Sequence, residues 1–210
     1  MRHLVWDWNG TLLNDMPLVV SSTNAALVAA GGLPTTEDEH RRDFRRPIID
    51  YYGETLGRVL TQAEFARLDE VFHQAYKTGL ETCDLAGDAR TALGTWTGTQ
   101  SLLSMWFHDE LVPTVDGFGL TANFRRVDGL KTGITGGFKA EHLIVHLKEL
   151  GIDGSEVVMI GDSVDDADAA AAVGAACVLY TGGFTDPRRL RAVGVPVADS
   201  LLEAVAIASR

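Results

Sequence analysis

The sequence predicts an α/β protein with a parallel sheet and an inserted helical domain. Through residues 84–210, short apolar runs typical of buried strands alternate with amphipathic helical stretches. One further apolar run, HLVW at residues 3–6, opens the chain, and residues 15–83 show helical spacing without strand patterns. Alternating strands and helices form parallel sheets that helices cover. We therefore expect one α/β core at residues 1–14 and 84–210 and a helical insertion at residues 15–83.

Each element follows from a local signal. Strands are predicted where an apolar run is too short for a helix, and helices where apolar residues recur every three or four positions. Gly31 and Gly32 end the first helix, and Thr61 and Glu64 have the spacing of a capping box. The predicted strands are 3–6, 99–104, 156–161 and 175–180. The predicted helices are 16–30, 36–78, 87–96, 107–115, 138–151, 164–174 and 201–209, with a loop rich in glycine and threonine before residue 138.

Composition limits the function. The chain of 210 residues is 46% hydrophobic and carries a net charge of -11, which argues against nucleic-acid binding because nucleic-acid binders present basic patches. Cys83 and Cys177 lack the paired spacing of a zinc site or a disulfide framework. The sequence shows no signal peptide and no apolar run long enough to span a membrane. We expect a cytoplasmic protein without membrane contact, either a monomer or a small homo-oligomer.

Polar residues stand at the ends of three predicted strands. Asp7 follows the first, Ser104 ends the second, and Asp162 follows the third, with Asp166 one helical turn further on. In open Rossmann-like sheets, ligands bind outside the carboxyl ends of the strands, so these side chains should meet there. Helix capping explains each of them singly, since Asp and Ser are favoured caps. Three carboxylates in one crevice, however, repel each other unless a cation joins them.

Two cations suit this crevice. Hard oxygen ligands without a nearby histidine or thiolate indicate Mg²⁺. The chain also supplies Lys139, which opens a predicted helix after the glycine-rich TGITGGF stretch. We therefore expect a magnesium site and a lysine at the same edge of the sheet.

The order and spacing of these residues resemble a known superfamily. DWNGT at residues 7–11, Ser104 in SLLS, Lys139 in FKAEHL and GDSVDD at residues 161–166 are similar to the motifs of the haloacid dehalogenase superfamily. The resemblance covers essentially the whole chain. The helical insertion resembles the small cap of the phosphoglycolate-phosphatase-like members.

The resemblance implies a nucleophile and a metal site. Asp7 would attack phosphorus and form an aspartyl-phosphate, which divides one difficult displacement into two steps. Mg²⁺ would bind the side chains of Asp7, Asp162 and Asp166 and the backbone carbonyl of Asn9. The ion would let two anions, the carboxylate and the phosphate, approach each other.

The resemblance also implies a phosphate site and a substrate class. Ser104 and the N–H groups around Gly10 and Thr11 would bind the phosphoryl oxygens. Lys139 would neutralise charge on Asp7 and on the transferring group. The implied substrate is a small phosphorylated metabolite similar to phosphoglycolate.

One motif position departs from the family pattern. DWNGT has Asn9 where the family usually has an aspartate that serves as general acid and then as general base. An amide cannot exchange that proton, although it keeps the hydrogen bonds of the turn and its backbone carbonyl. Losing such acid–base catalysis typically lowers a rate by ~10²–10⁴-fold.

Three interpretations therefore stay open. The first is a phosphatase that favours leaving groups needing little protonation, such as acyl or aryl phosphates, or that uses another acid. The second is a phosphate-binding protein with little turnover. The third is a 2-haloacid dehalogenase, which uses the same aspartate without a metal. The acidic GDSVDD segment argues against this third interpretation, because a metal-free site has little use for it.

Two further groups are candidates for binding. RRDFRRP places Arg45 and Arg46 in the insertion, where guanidinium groups suit an anionic substrate, although a solvated helix face is the alternative. His142 and His146 have the i,i+4 spacing of a metal pair. Because HLIVH lacks the glutamate of a zinc protease, we interpret these histidines as packing or surface residues.

Overall fold

The computed structural model describes residues 2–131 and 138–210 and confirms the predicted α/β fold. The strands are β1 His3–Trp6, β2 Leu13–Asn14, β3 Asp84–Leu85, β4 Gln100–Phe107, β5 Val127–Leu130, β6 Val157–Gly161, β7 Ala176–Tyr180 and β8 Val197–Ala198. Strands β2 and β3 form a pair of their own. The other six form one sheet in the order β5-β4-β1-β6-β7-β8, in which each neighbouring pair is parallel.

Helices connect these strands. They are α1 Met16–Ala29, α2 Glu37–Asp43, α3 Ile48–Thr55, α4 Gln62–Gly79, α5 Ala89–Thr95, α6 His108–Gly117, α7 Lys139–Leu150, α8 Val164–Ala172, α9 Pro187–Ala192 and α10 Leu201–Ala208. Among the described residues, no helix combines the length and the apolar character needed to cross a membrane.

The chain divides into two compact units. The sheet unit comprises Met1–Asn14, Leu85–Gly183 and Pro187–Arg210, and the helical unit comprises Asp15–Asp84 and Phe184–Asp186. Each unit has its own core. In the sheet unit, apolar residues of the central strands pack with Leu143 and Leu147 of α7 and with Ala167 and Ala170 of α8.

Strand order places a ligand crevice in the sheet unit. From β1 the chain adds β4 and β5 on one side, and then β6, β7 and β8 on the other. The topological switch therefore lies between β1 and β6, and ligands of open α/β sheets bind at the carboxyl ends of such strands. Asp7 directly follows β1, and Asp162 directly follows β6.

Helices α1, α3 and α4 supply most of the core of the helical unit. That core contains Ala26, Leu27, Tyr51, Tyr52, Leu60 and Leu68. The prediction that residues 36–78 are helical throughout is wrong, because non-helical residues separate α2, α3 and α4. Phe44 and Pro47 adopt extended backbone angles between α2 and α3, and Thr61 caps α4 through a capping box with Glu64.

Other differences concern short or polar elements. Local sequence patterns do not predict β2, β3, β5, β8 and α9. The expectation that Ser104 ends its strand is also wrong, because β4 continues to Phe107. The pairing of β4 with β5 shifts in register between Leu103 and Phe107, so the strand is irregular where Ser104 lies. The predicted glycine- and threonine-rich loop falls on residues 132–137, outside the described part of the chain.

A buried histidine makes the stability of the helical unit depend on pH. The ring of His40 is 1% exposed, stacks on Phe44 and shares a 2.8 Å hydrogen bond between Nδ1 and the Tyr51 hydroxyl. Burial, together with the charge of Arg41, lowers the pKa of His40 to about 4. An exposed histidine in the unfolded chain has a pKa of about 6.5. The stability contributed by the neutral ring is therefore complete above pH ~6.5 and is lost as the pH falls towards ~4.

We expect His40→Asn to flatten this dependence, because asparagine offers Tyr51 a hydrogen-bond partner but does not titrate. On acidification from pH 7 to pH 5, the wild-type free energy of unfolding should fall relative to that of the variant. The limiting slope for one proton is about 1.4 kcal/mol per pH unit. Urea unfolding at pH 7, 6 and 5 measures the difference, with His73→Asn as the control at a half-exposed histidine. Parallel pH curves for wild type and His40→Asn would contradict the assignment.

Candidate active site

The backbone after β1 places Asp7 at the carboxyl edge of the sheet. The Asp7 N–H donates to the carbonyl of Ile160 in β6 at 2.9 Å, which extends the β1–β6 pairing by one residue. The side chain is nearly buried, with the residue 8% exposed. Asp7 is thus held rigidly where two parallel strands end.

A tight turn follows Asp7. The N–H groups of Thr11 and Leu13 both donate to the carbonyl of Trp8, at 3.2 and 2.9 Å. Gly10 has a φ of 71°, a left-handed conformation that glycine adopts without steric cost. The Thr11 N–H, which is predicted to bind phosphate, closes this turn through its hydrogen bond to Trp8.

Two carboxylates come from the segment after β6. Asp162 is 1% exposed, and its Oδ1 accepts a hydrogen bond from the Thr11 hydroxyl at 3.3 Å. Asp166 is the third residue of α8 and forms a capping box with Ser163. Its Oδ2 accepts from the Ser163 N–H at 3.0 Å and from the Ser163 hydroxyl at 2.6 Å, so this carboxylate also fixes the start of the helix.

Two glycines leave room for these carboxylates. A Cβ on Gly183 would lie 2.0 Å from Oδ2 of Asp162, and a Cβ on Gly161 would lie 2.3 Å from Cγ of Asp166. Either contact is far inside van der Waals distance, so a side chain at these positions would displace a carboxylate. Gly183 was not predicted as a site residue. The sequence feature that indicates it is the Gly-Gly pair shortly after the apolar run ACVLY.

Lys139 joins two of the carboxylates. Its Nζ lies 2.5 Å from Oδ1 of Asp7 and 2.5 Å from Oδ1 of Asp166, and the residue is 2% exposed. Burial alone would lower the pKa of Lys139, but the ion pairs with Asp166 and Asp7 outweigh burial and raise it. The two ion pairs therefore favour the charged form of the lysine inside the cluster. As predicted, it is the first residue of its helix.

Negative charge remains in excess at this site. Burial raises the pKa of Asp7, and the charge of Asp166 acts in the same direction, while Lys139 lowers it. Ligand oxygens of Asp7, Asp162 and Asp166 all lie within 4.8 Å of one another. Three carboxylates against one ammonium leave room in the charge balance for a further cation. Carboxylate oxygens alone suit a hard ion such as Mg²⁺.

Asn9 and Ser104 contact each other directly. The Ser104 hydroxyl donates to Oδ1 of Asn9 at 3.0 Å and accepts from the Trp106 N–H at 3.1 Å. The second bond explains the irregularity of β4, because Trp106 directs its N–H to a side chain rather than into the sheet. Ser104 of β4 thus contacts Asn9 in the turn that follows Asp7.

Arg45 and Arg46 belong to the helical unit. The Arg45 guanidinium pairs with Glu54 at 2.7 Å and lines a cavity of about 510 Å³ in that unit, together with Arg42 and Tyr51. The expectation that Arg45 and Arg46 bind substrate stays a prediction.

Comparison with known proteins decides the family. The haloacid dehalogenase-like hydrolase family matches residues 1–174. The chain belongs to the haloacid dehalogenase-like hydrolases. Within this family, the chain is 27% identical over 199 residues to a phosphoglycolate phosphatase of Agrobacterium fabrum, covering 87% of this chain and 81% of that protein. It is also 27% identical to a phosphoglycolate phosphatase of Mesorhizobium japonicum, with 87% and 84% covered.

Solved structures of haloacid dehalogenase-like proteins share the fold. One is described as a predicted phosphoglycolate phosphatase from Haemophilus somnus; it aligns with a TM-score of 0.78 and 18% identity over 99% of this chain and 98% of that chain. A haloacid dehalogenase-like protein from Streptococcus pneumoniae aligns with a TM-score of 0.82 and 17% identity over the same shares. At these identities the likeness concerns the fold.

We expect Lys139→Met to destabilise the protein strongly in the absence of divalent cations. The change leaves buried carboxylates without their ammonium partner, and losing one partner of a buried ion pair typically costs about 3–5 kcal/mol. Urea unfolding in excess chelator measures this cost, with Lys148→Met, an exposed lysine on the same helix, as the matched control. A loss no larger than that of Lys148→Met would show that Lys139 does not neutralise the cluster.

Proposed function

We propose that the chain is a Mg²⁺-dependent phosphatase that hydrolyses a small phosphorylated metabolite, similar to phosphoglycolate, through an aspartyl-phosphate. The observation that carries the proposal is the buried cluster of Asp7, Asp162, Asp166 and Lys139 at the carboxyl ends of β1 and β6. The names of the curated relatives support the same substrate class.

In this proposal Mg²⁺ would be held by Asp7 and Asp162, with the backbone carbonyl of Asn9 as a further ligand. Asp166 has one oxygen on Lys139 and the other on Ser163, so it would contribute mainly by holding the lysine. When bound, the ion would neutralise charge between phosphate and carboxylate.

In the first step, Asp7 displaces the leaving group. Lys139 binds Oδ1 of Asp7, and because a carboxylate oxygen has two lone pairs, the same Oδ1 would also bind the ion, which leaves Oδ2 as the attacking oxygen. The bond from Oδ2 to phosphorus forms while the bond from phosphorus to the leaving oxygen breaks, and that oxygen carries away the electron pair. Lys139 already lies beside the nucleophile, so its charge stabilises the transition state without reorganisation. In the second step, water attacks phosphorus, the bond from phosphorus to Oδ2 breaks with its electron pair returning to the Asp7 carboxylate, and phosphate leaves carrying the oxygen and protons of the water.

Asn9 determines which leaving groups depart readily. Its Oδ1 accepts a hydrogen bond from Ser104, and an amide supplies no proton to the leaving oxygen. An alkyl phosphate such as phosphoglycolate is therefore hydrolysed slowly in this proposal, whereas acyl and aryl phosphates, whose leaving groups need little protonation, react faster. The same observation favours a second candidate, a phosphate-binding protein with little turnover. The carboxylate cluster supports a metal-dependent reaction over metal-free dehalogenation.

We expect Asp7→Asn to abolish turnover, because an amide oxygen is a poor nucleophile. A panel of alkyl, aryl and acyl phosphates and 2-haloacids, assayed with Mg²⁺ and with excess chelator, identifies the reaction. Asp168→Asn, an exposed aspartate on α8, is the control and should keep full activity. Phosphatase activity of Asp7→Asn above a few per cent of wild type, or full activity in chelator, would refute the mechanism. Binding of phosphate without turnover on any substrate would favour the second candidate.

We expect Asn9→Asp to raise the hydrolysis of alkyl phosphates by about ten-fold or more, within the range for restored acid–base catalysis. Aryl and acyl phosphates should gain less, because their leaving groups depart without protonation. Asn14→Asp, which adds an exposed carboxylate in β2, controls for charge alone. Equal rates for wild type and Asn9→Asp on alkyl phosphates would mean that another group supplies the proton.

A further inference from the structure

A second buried polar cluster lies in the sheet unit, near the amino ends of the strands. His3 is the first residue of β1, Ser101 and Asp128 lie near the starts of β4 and β5, and His146 lies on α7. All four are buried; Ser101 is 0% and His146 is 1% exposed. Asp7 and Asp162 lie at the opposite ends of β1 and β6.

Both ring nitrogens of His146 are hydrogen-bonded to the sheet. Nδ1 lies 2.7 Å from Oδ2 of Asp128, and Nε2 lies 2.7 Å from Oγ of Ser101. This series of hydrogen bonds continues from Oγ of Ser101 to Nε2 of His3 at 2.8 Å, and from Nδ1 of His3 to the Thr99 hydroxyl at 2.7 Å. One helix is thus connected through a single imidazole to β4 and β5, and through Ser101 to β1.

The charge of Asp128 fixes the direction of its hydrogen bond with His146. Burial alone would raise the pKa of Asp128, but hydrogen bonds from His146 and Arg126 outweigh burial and hold it well below its usual range. Asp128 is therefore ionised and only accepts, so Nδ1 of His146 carries a proton. The Ser101 hydroxyl can both donate and accept, so it joins Nε2 of His146 to Nε2 of His3.

The order Asp128, His146, Ser101 matches that of a catalytic triad, but Ser101 has no accessible surface, so no substrate reaches its hydroxyl. The cluster instead connects helix α7 to the sheet. Lys139 and His146 belong to the same buried face of α7, together with Leu143 and Leu147. Apolar contacts of the leucines are non-directional and tolerate small rotations, whereas two hydrogen bonds to different strands fix one orientation.

We propose that His146 is a positioning residue that sets the orientation of α7 and thereby keeps Nζ of Lys139 between Asp7 and Asp166. The consequence for catalysis rests on the proposed phosphatase function; the consequence for Lys139 does not. Misplacing a catalytic group by about 1 Å can lower a rate by ~10²-fold, so a small rotation of α7 is sufficient.

The test compares His146→Leu, which removes both hydrogen bonds, with His146→Asn, whose amide can still donate to Asp128. Pulse labelling with acetic anhydride, read by mass spectrometry, reports how well the Lys139 amine is held, whether or not the protein turns over substrate. His142→Leu, the same substitution at another histidine of α7, is the matched control for His146→Leu. Leu93→Ala removes a buried side chain on a different helix, α5, and controls for lost stability.

In His146→Leu we expect labelling of Lys139 to rise by about ten-fold and kcat to fall by about ten- to a hundred-fold, with KM changed less than about three-fold. The kcat falls because Lys139 acts on the nucleophile and the transition state. His146→Asn should recover part of both effects, and both controls should label and turn over like wild type when fully folded. If His146→Leu does not fold, His146→Asn and Asp128→Asn make the same comparison.

Labelling of Lys139 in the folded His146 variants at the level of Leu93→Ala would overturn the proposal. An inactive wild-type protein would refute the phosphatase function instead, while the labelling comparison would still decide the role of His146.

Discussion

The ammonium of Lys139 holds together two carboxylates that come from different parts of the chain. Asp7 follows the central strand, Asp166 lies in the first turn of α8, and Lys139 is the first residue of α7. A buried ion pair compensates for lost hydration only when its remaining hydrogen-bonding groups are satisfied. Asp166 meets this condition through Ser163, which caps α8 with the same carboxylate. The starts of two helices and the end of β1 thus depend on one charged contact.

The amide at position 9 fits the same charge balance. The cluster already has three carboxylates and one lysine, and an aspartate at this position would add a fourth negative charge beside Ser104. Asn9 keeps the hydrogen bond to Ser104 without that charge. The site therefore combines a charged part, built from Asp7, Asp162, Asp166 and Lys139, with a neutral part built from Asn9 and Ser104. The departure from the family pattern lies entirely in the neutral part.

Sequence patterns predicted the elements whose signals are local. HLVW and VVMIG are buried strands in which apolar residues predominate, and α7 begins at Lys139 as the sequence predicts. Strand β5 was not predicted because VDGL contains an aspartate and a glycine, which interrupt the apolar pattern of a buried strand. The aspartate is tolerated there because Asp128 accepts hydrogen bonds from Arg126 and His146, a long-range arrangement that no local pattern reveals. The irregularity at Ser104 likewise depends on pairing between β4 and β5.

The chain positions of the core strands also determine when the site can assemble during synthesis. The central strand β1 is made first, but its neighbours β4 and β6 begin at Gln100 and Val157. Asp7 and Lys139 are separated by 132 residues, and Thr11 and Asp162 by 151. The core of the helical unit, by contrast, is drawn from one contiguous stretch between Ala26 and Leu68. A growing chain can therefore form this local core early, while β1 stays unpaired until β4, in the middle of the chain, has left the ribosome, and it gains its second neighbour only with β6.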